Sequence, residues 1–150
     1  MWVWRLTKPR RASFDGEGAR LYGGRWNHPG LAVVYAAESL SLAVLELFVH
    51  LNPYDAPDLV AVGAEVPDAL PVRRVDRSAL PSNWRRTPAP TPLADLGSGW
   101  LREGAVAALA VPSAIVPRET NYLLNPAHPD FARIRIGKPE PFSLDPRLWK

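Results

Sequence analysis

Residues 31–50 read LAVVYAAESLSLAVLELFVH and place a predicted strand directly before a predicted helix. The run 31–36 is apolar and rich in β-branched and aromatic residues, which is typical of a strand. When residues 39–50 are placed on a helix at about 100° per residue, apolar side chains go nearly all the way round it. A helix that is apolar on most sides is largely buried, so this strand and this helix are expected to form part of the core.

Glu46 is the only formally charged residue between Leu40 and Val49. A carboxylate in such a helix lies either on a thin solvent-exposed edge or in a pocket, where it needs a cation or hydrogen-bond donors beside it. The alternative is a surface pair with His50 at spacing i, i+4, which stabilises a helix by only about 0.2–0.5 kcal/mol. The helix pattern alone leaves both interpretations open.

The other apolar runs are short, and predicted strands outnumber predicted helices. Strands are predicted at 2–6, 59–66, 105–111 and 133–136, and a second helix at 93–102, which two glycines weaken. The 17 prolines concentrate in residues 81–92 and near the C-terminus. Because proline disfavours helix interiors and central strands, residues 81–92 are expected to form an irregular connection. The strands do not alternate regularly with helices, so the order of elements favours an α+β fold.

The length and composition set the broad class of the protein. The chain has 150 residues, 47% of them hydrophobic, which fits one domain spanning 1–150 with a single core. It has no cysteine, which excludes disulfides, a thiol nucleophile and thiolate-bound metal. The three histidines have no metal-ligand spacing, so no metal is expected. Residues 1–11 contain charges and no continuous apolar stretch, so we expect a cytoplasmic protein without a signal peptide or a membrane segment.

Positive charge is concentrated in two stretches, and the net charge is +3. An excess of positive charge favours anionic partners such as nucleotides, nucleic acid or an acidic protein surface. A solvated face without a partner is the alternative. The basic residues are Arg5, Lys8, Arg10 and Arg11 in the first stretch, and Arg73, Arg74, Arg77, Arg85 and Arg86 in the second.

Four further positions are candidates for a functional site. Arg25 follows two adjacent glycines, which allow a sharp turn or a close approach to a ligand, and its guanidinium suits a phosphate or a carboxylate. Tyr35 lies near the end of a predicted strand, where it can line a cleft or stay in the core with a bonded hydroxyl. Ser113 and Asn125 offer neutral hydrogen bonds at strand ends, with backbone capping as the alternative for Asn125.

Taken together, these stretches resemble the RES-domain family, and the resemblance covers nearly the whole chain. Each motif is modest by itself, but all of them in one order are specific. The arginine, the glutamate and the serine that give the family its name fall on Arg25, Glu46 and Ser113. The motifs are WRL at 4–6, GA at 18–19, GGRWN at 23–27, VYAAES at 34–39, LAVLE at 42–46, VPS at 111–113, NYLLNPAHPDF at 121–131 and DPRL at 145–148.

The resemblance implies an ADP-ribosyltransferase-like fold of the diphtheria-toxin type, with a split β-sheet core and flanking helices. It also implies an intracellular toxin that cleaves the nicotinamide–ribose bond of NAD⁺ and passes ADP-ribose to water, phosphate or a protein. Arg25, Tyr35, Glu46 and Ser113 are implied as catalytic residues, and Arg25, Tyr35 and Asn125 as residues that bind NAD⁺. The implied partners are an antitoxin with a helix-turn-helix DNA-binding part and a second copy of the chain, with DNA reached only through the antitoxin.

The implied reaction suits these residue types. Nicotinamide leaves as a neutral molecule, and the transition state has oxocarbenium character that a carboxylate stabilises, which is the role expected of Glu46. Arg25 is expected to hold the pyrophosphate and Tyr35 to stack against nicotinamide or orient it. Ser113 is expected to bond to the ribose or to Glu46.

Two other functions compete with this one. A ribonuclease toxin would explain the positive charge and the six tryptophans, although RNA cleavage usually needs general acid–base groups such as paired histidines. A non-catalytic module would bind an acidic protein through its basic face, and Arg73 or Arg85 would then matter more than Glu46. In an NAD⁺-consuming toxin, the basic loop 73–86 is a candidate contact surface for the antitoxin.

Overall fold

A mixed β-sheet is the framework of the computed structural model, which describes residues 1–52 and 57–149. The strand order is β4-β5-β6-β2-β1-β3, and β7 and β8 both pair with β3. The β4–β5 pair is parallel, and the other pairs are antiparallel. The eight strands of the described residues are β1 (Trp2–Thr7), β2 (Val34–Ala37), β3 (Leu59–Glu65), β4 (Val72–Arg74), β5 (Ala108–Pro112), β6 (Thr120–Leu124), β7 (Arg135–Ile136) and β8 (Glu140–Phe142).

Three α-helices accompany the sheet in this part of the chain. They are α1 (Glu17–Tyr22), α2 (Leu40–Phe48) and α3 (Thr91–Glu103). Short 3-10 turns lie at Pro9–Arg11, Arg77–Ala79, Pro129–Arg133 and Pro146–Trp149. Among the helices of the described ranges, none combines the length and the apolar character that crossing a membrane requires.

The sheet nearly divides between β1 and β2. These two strands are joined at one position, Trp4 opposite Ala37. By contrast, β1 pairs with β3 along its whole length, from Trp2 opposite Glu65 to Thr7 opposite Val60. One half therefore holds β4, β5, β6 and β2, and the other holds β1 and β3 with the short strands at its edge. The α+β class with a split sheet is confirmed.

Side chains of β5 and β6 alternate between two core clusters on opposite faces of the sheet. One face packs against α3 and three tryptophans, and this cluster holds Trp26, Val33, Trp84, Leu93, Trp100, Leu101, Leu109, Val111 and Leu123. The opposite face includes Val34, Val62, Ala110, Tyr122 and Leu124. A third cluster lies under α2 and contains Leu6, Leu42, Ala43 and Leu59.

The longest apolar patterns gave the most accurate predictions. Strands β1 and β3 and helix α2 are confirmed, with ends within two residues of the predicted 2–6, 59–66 and 39–50. Strands β2 and β5 begin three residues later than predicted. Only the last two residues of the predicted strand 133–136 are a strand, β7. The short elements α1, β4, β6 and β8 were not predicted.

The proline-rich segment is irregular over 81–90, as predicted, but its last two residues are helical. Thr91 and Pro92 form the start of α3, so the expectation that helix begins only after residue 92 is wrong. Proline is tolerated in the first turn of a helix because the N–H that it lacks has no partner within the helix there.

Gly97 allows α3 to approach the turn that contains Arg25. A Cβ atom on Gly97 would lie 1.8 Å from the carbonyl oxygen of Trp26, which is a severe clash. A Cβ atom on Gly99, two residues further along the same helix, would meet nothing within 4 Å. Gly97 is therefore required by packing, whereas Gly99 is not.

We predict opposite effects of alanine at these two glycines. Gly97→Ala should lower the free energy of unfolding by about 1–3 kcal/mol, since the helix or the turn must shift. Gly99→Ala should raise it by about 0.5–1 kcal/mol, since alanine is the better helix former. Urea denaturation of both variants measures the difference, and equal effects would contradict the proposed packing role.

Candidate active site

Glu46 projects from α2 toward the ends of two strands. The helix begins after Ser39, whose Oγ accepts a hydrogen bond from the N–H of Leu42 at 3.1 Å. Leu42 and Ala43 are buried, whereas Glu46 is half-buried and His50 is exposed. The carboxylate of Glu46 bonds with Ser113 and Asn121, so its contacts are those of the pocket interpretation.

Both hydrogen bonds to Glu46 reach the same carboxylate oxygen. The Ser113 hydroxyl and the Asn121 Nδ2 each donate to Oε1 at 2.7 Å. Oε2 accepts no hydrogen bond from the residues that the structure describes. Within the described residues, the carboxylate thus has one oxygen bound by the protein and one oxygen without a hydrogen-bond partner.

Ser113 follows β5 and is completely buried. Its Oγ accepts hydrogen bonds from the N–H groups of Ile115 and Val116, at 3.1 and 3.0 Å. Together with the bond that it donates to Glu46, these contacts use the full capacity of a hydroxyl. The arrangement supports the second of the two expected roles of Ser113, a bond to Glu46.

Asn121 is a site residue that the sequence analysis missed. It is the second residue of β6, and it lies opposite Ala37 of β2 and Val111 of β5. The sequence analysis assigns residues 121–124 to a motif and not to a strand. A strand assignment would have placed residues 121 and 123 on one face of the sheet.

Arg25 is held by the irregular segment before α3. Its Nη1 donates to the carbonyl oxygens of Trp84 and Arg86, at 2.9 and 3.0 Å, and its Nη2 donates to Thr87 Oγ1 at 3.3 Å. The Nε–H and one Nη2–H form no hydrogen bond within the described ranges. Two neighbouring donors of the guanidinium therefore remain for a ligand.

Electrostatics place Arg25 in the neighbourhood of Glu46. Burial lowers the pKa of Arg25, and the charge of Glu46, followed by Tyr35, opposes that effect. The two predicted residues are thus close enough to interact electrostatically.

The Tyr35 hydroxyl anchors the turn that carries Arg25. It accepts a hydrogen bond from the N–H of Trp26 at 3.0 Å and donates one to Asn27 Oδ1 at 2.7 Å. Burial raises the pKa of Tyr35, so the phenol is neutral at physiological pH. Gly24 leaves room for this contact, because a Cβ atom there would lie 2.7 Å from the hydroxyl oxygen.

The second basic stretch is partly used in contacts within the chain. Arg85 Nε donates to the carbonyl oxygen of Ala114 at 2.8 Å, and Arg77 Nη1 donates to that of Pro117 at 3.1 Å. Arg73 forms an ion pair with Glu103. The segment that holds Arg25 is thereby tied to the loop that follows Ser113.

Asn125 lies at the other end of β6 from Asn121. Its Oδ1 accepts a hydrogen bond from the N–H of Ala127 at 3.0 Å, and its own N–H donates to Ala107 at 2.8 Å. This is a turn-forming arrangement of the kind left open as the alternative. The structure does not bring Asn125 to the Glu46 carboxylate.

A cavity of about 460 Å³ lies away from these residues. It is bounded by α2 and the C-terminal segment, and Val44, Phe142, Leu144 and Leu148 are among the residues that line it. Arg25, Tyr35 and Glu46 do not line it. The candidate site is therefore defined by its charges and hydrogen bonds, and this cavity is not part of it.

The RES-domain family model matches residues 3–145, and the chain belongs to this family. A relative from Sphingobium sp., named Prs ADP-ribosylating toxin, is 41% identical over 97% of this chain and 94% of that protein. A protein named Toxin Res from Yersinia enterocolitica is 38% identical and covers 99% of both chains. Another Toxin Res, from Pseudomonas putida, is 38% identical over 99% of this chain and 100% of that protein. The chain is thus a homologue of proteins named as toxins.

The fold is shared with a chain in the crystal structure of the M. tuberculosis MbcT–MbcA toxin–antitoxin complex. The TM-score is 0.70 at 18% sequence identity, and the match covers 99% of this chain and 86% of that chain. At this identity the likeness establishes the fold.

We predict that the Tyr35 hydroxyl stabilises the fold. Tyr35→Phe should lower the free energy of unfolding by about 1–3 kcal/mol, because the N–H of Trp26 and the Oδ1 of Asn27 lose a partner. Tyr22 is 72% exposed, and Tyr22→Phe should change the value by less than about 0.5 kcal/mol. Urea denaturation compares the two variants, and similar small changes would show that the Tyr35 hydroxyl does not anchor the turn.

Proposed function

We propose that the chain is a toxin that consumes NAD⁺ by cleaving the nicotinamide–ribose bond. The observation that carries this proposal is the carboxylate of Glu46, with Oε1 held by two donors, Oε2 without a partner in the described residues, and Arg25 in its neighbourhood. Membership of the RES-domain family and a relative named as an ADP-ribosylating toxin support it.

The chemistry assigns a charge-stabilising role to Glu46. When the C–N bond to the ribose breaks, its electron pair goes to the nicotinamide nitrogen, and positive charge develops on the ribose. A carboxylate oriented in advance stabilises that charge more than water does, because it does not reorganise during the reaction. The ADP-ribosyl group then forms a bond to an oxygen of water or phosphate, or to a protein side chain. When the acceptor is water or a protein side chain, that acceptor releases a proton.

Arg25 is proposed to hold the pyrophosphate of NAD⁺. Its Nε–H and one Nη2–H form no hydrogen bond within the described residues and suit the oxygens of an anionic group. The carbonyl groups of Trp84 and Arg86 orient the guanidinium through the other nitrogen. Since the Tyr35 hydroxyl is already bonded twice, we propose that its ring provides the contact with nicotinamide.

The proposed partner is an antitoxin that neutralises the toxin in the cell. We further propose that this antitoxin has a helix-turn-helix DNA-binding part, that DNA is reached through it, and that the toxin forms a homodimer. Support for an antitoxin comes from the likeness to a chain of a toxin–antitoxin complex. Exposed charges of the basic stretch, such as Arg74 and Arg86, are candidates for its contact surface.

The histidines give no support to a ribonuclease. His28 Nε2 contacts Asp95 at 2.6 Å, and His128 Nδ1 accepts a hydrogen bond from the N–H of Asp130 at 3.0 Å. His50 is exposed at the end of α2. Two of the three therefore have structural partners of their own, and the proposal uses none of them in catalysis.

We expect Glu46→Gln to lower the rate of NAD⁺ loss by about 100-fold or more, because the amide keeps an acceptor for Ser113 and Asn121 but removes the negative charge. Glu140→Gln, at an exposed carboxylate of β8, is the matched control and should retain the parent rate. The assay is nicotinamide release from NAD⁺ by purified protein, with phosphate or a cell lysate added in separate reactions. Identification of the ADP-ribose product distinguishes hydrolysis, phosphorolysis and protein transfer.

Two results would count against the proposal. A folded Glu46→Gln protein that consumes NAD⁺ at the parent rate would remove the role of the carboxylate. A parent protein that leaves NAD⁺ intact under all three conditions, while cleaving RNA, would favour the ribonuclease.

A further inference from the structure

Asn121 makes one good hydrogen bond and leaves one polar atom without a partner. Its Nδ2 donates to Glu46 Oε1 at 2.7 Å. Its Oδ1 is a buried side-chain oxygen with no hydrogen-bond partner among the residues that the structure describes. Among the described residues it is the one buried side-chain polar atom in that condition.

The unpaired Oδ1 of Asn121 lowers the stability of the folded protein. A buried acceptor without a partner costs folding free energy, because it has lost its hydrogen bond to water. The residues opposite Asn121 on the two neighbouring strands are Ala37 and Val111, both buried and apolar. An apolar side chain of similar size would suit these neighbours without leaving a polar atom unpaired.

The bond to Glu46 supplies a reason for the asparagine. A carboxylate held only by the Ser113 hydroxyl can still pivot about that single hydrogen bond. The second donor comes from the adjacent strand, β6, and reaches the same oxygen. Two donors on Oε1 define the direction in which Oε2 points.

We propose that Asn121 is a positioning residue for the reaction, retained despite its unpaired Oδ1 because it orients the Glu46 carboxylate toward the ribose. This inference rests on the proposed cleavage of NAD⁺. It predicts a separation between stability and activity that a structural asparagine would not show.

The test compares leucine substitutions at two asparagines, Asn121 in β6 and Asn125 in the turn that follows it. Asn121→Leu should unfold close to the parent urea concentration, because the loss of the bond to Glu46 is offset by removal of the unpaired Oδ1. Its kcat for NAD⁺ should fall by about 10-fold or more while KM stays within about 3-fold, as expected for a group that acts in the transition state. Asn125→Leu should unfold at a lower urea concentration, because Asn125 holds the N–H of Ala127.

Asn121→Asp is the second variant, since it keeps the shape of the side chain and replaces the donor by an acceptor. It should also lower kcat by about 10-fold or more. If Asn121→Leu does not fold, this variant tests the positioning role of Asn121. Parent kcat in either folded variant would overturn the positioning role while leaving the proposed function intact. Loss of activity only in proportion to the unfolded fraction would do the same, and a parent protein inert toward NAD⁺ would overturn both proposals.

Discussion

The hydrogen bonds to one oxygen of Glu46 are the constraint on which the rest of the site depends. They join three segments that are far apart in sequence: helix α2, the residue after β5 and the start of β6. Because β5 and β6 are antiparallel neighbours, the end of one lies beside the beginning of the other. β2 pairs with the other edge of β6 and leads directly into α2, so the strand order itself brings the carboxylate to its two donors.

The arginine side of the site is built by a different set of contacts. Tyr35 holds the turn of residues 24–27 through two hydrogen bonds of its hydroxyl, and Gly97 lets α3 approach the same turn. The irregular segment before α3 supplies the carbonyl groups that orient Arg25, and Arg85 ties that segment to the loop after Ser113. A stretch that looks like a solvated basic loop in the sequence thus links the two halves of the site.

The sequence predicted the parts of the structure that have long and regular patterns. Strands β1 and β3 and helix α2 are largely apolar, and the family motifs pointed to the arginine, the tyrosine, the glutamate and the serine as candidates. Strand β6 was missed because its five residues TNYLL lie within a motif full of turn formers. Asn121 and Asn125 are the same type of residue within one motif. Only the pairing of β6 with β5 and β2 shows which of them faces Glu46. Such information depends on contacts between distant segments, which local patterns do not contain.

The groups that the protein leaves unbonded decide what the site can offer a ligand. The hydroxyls of Tyr35 and Ser113 are fully occupied by protein partners, so neither is available as a nucleophile or a ligand donor without breaking structure. What remains among the described residues is one carboxylate oxygen of Glu46, two guanidinium N–H groups of Arg25 and the ring of Tyr35. A substrate matching this set needs positive charge at one end and anionic oxygens at the other. The nicotinamide ribose and the pyrophosphate of NAD⁺ carry those two charges within one molecule, which is the reason for proposing NAD⁺ and not RNA as the substrate.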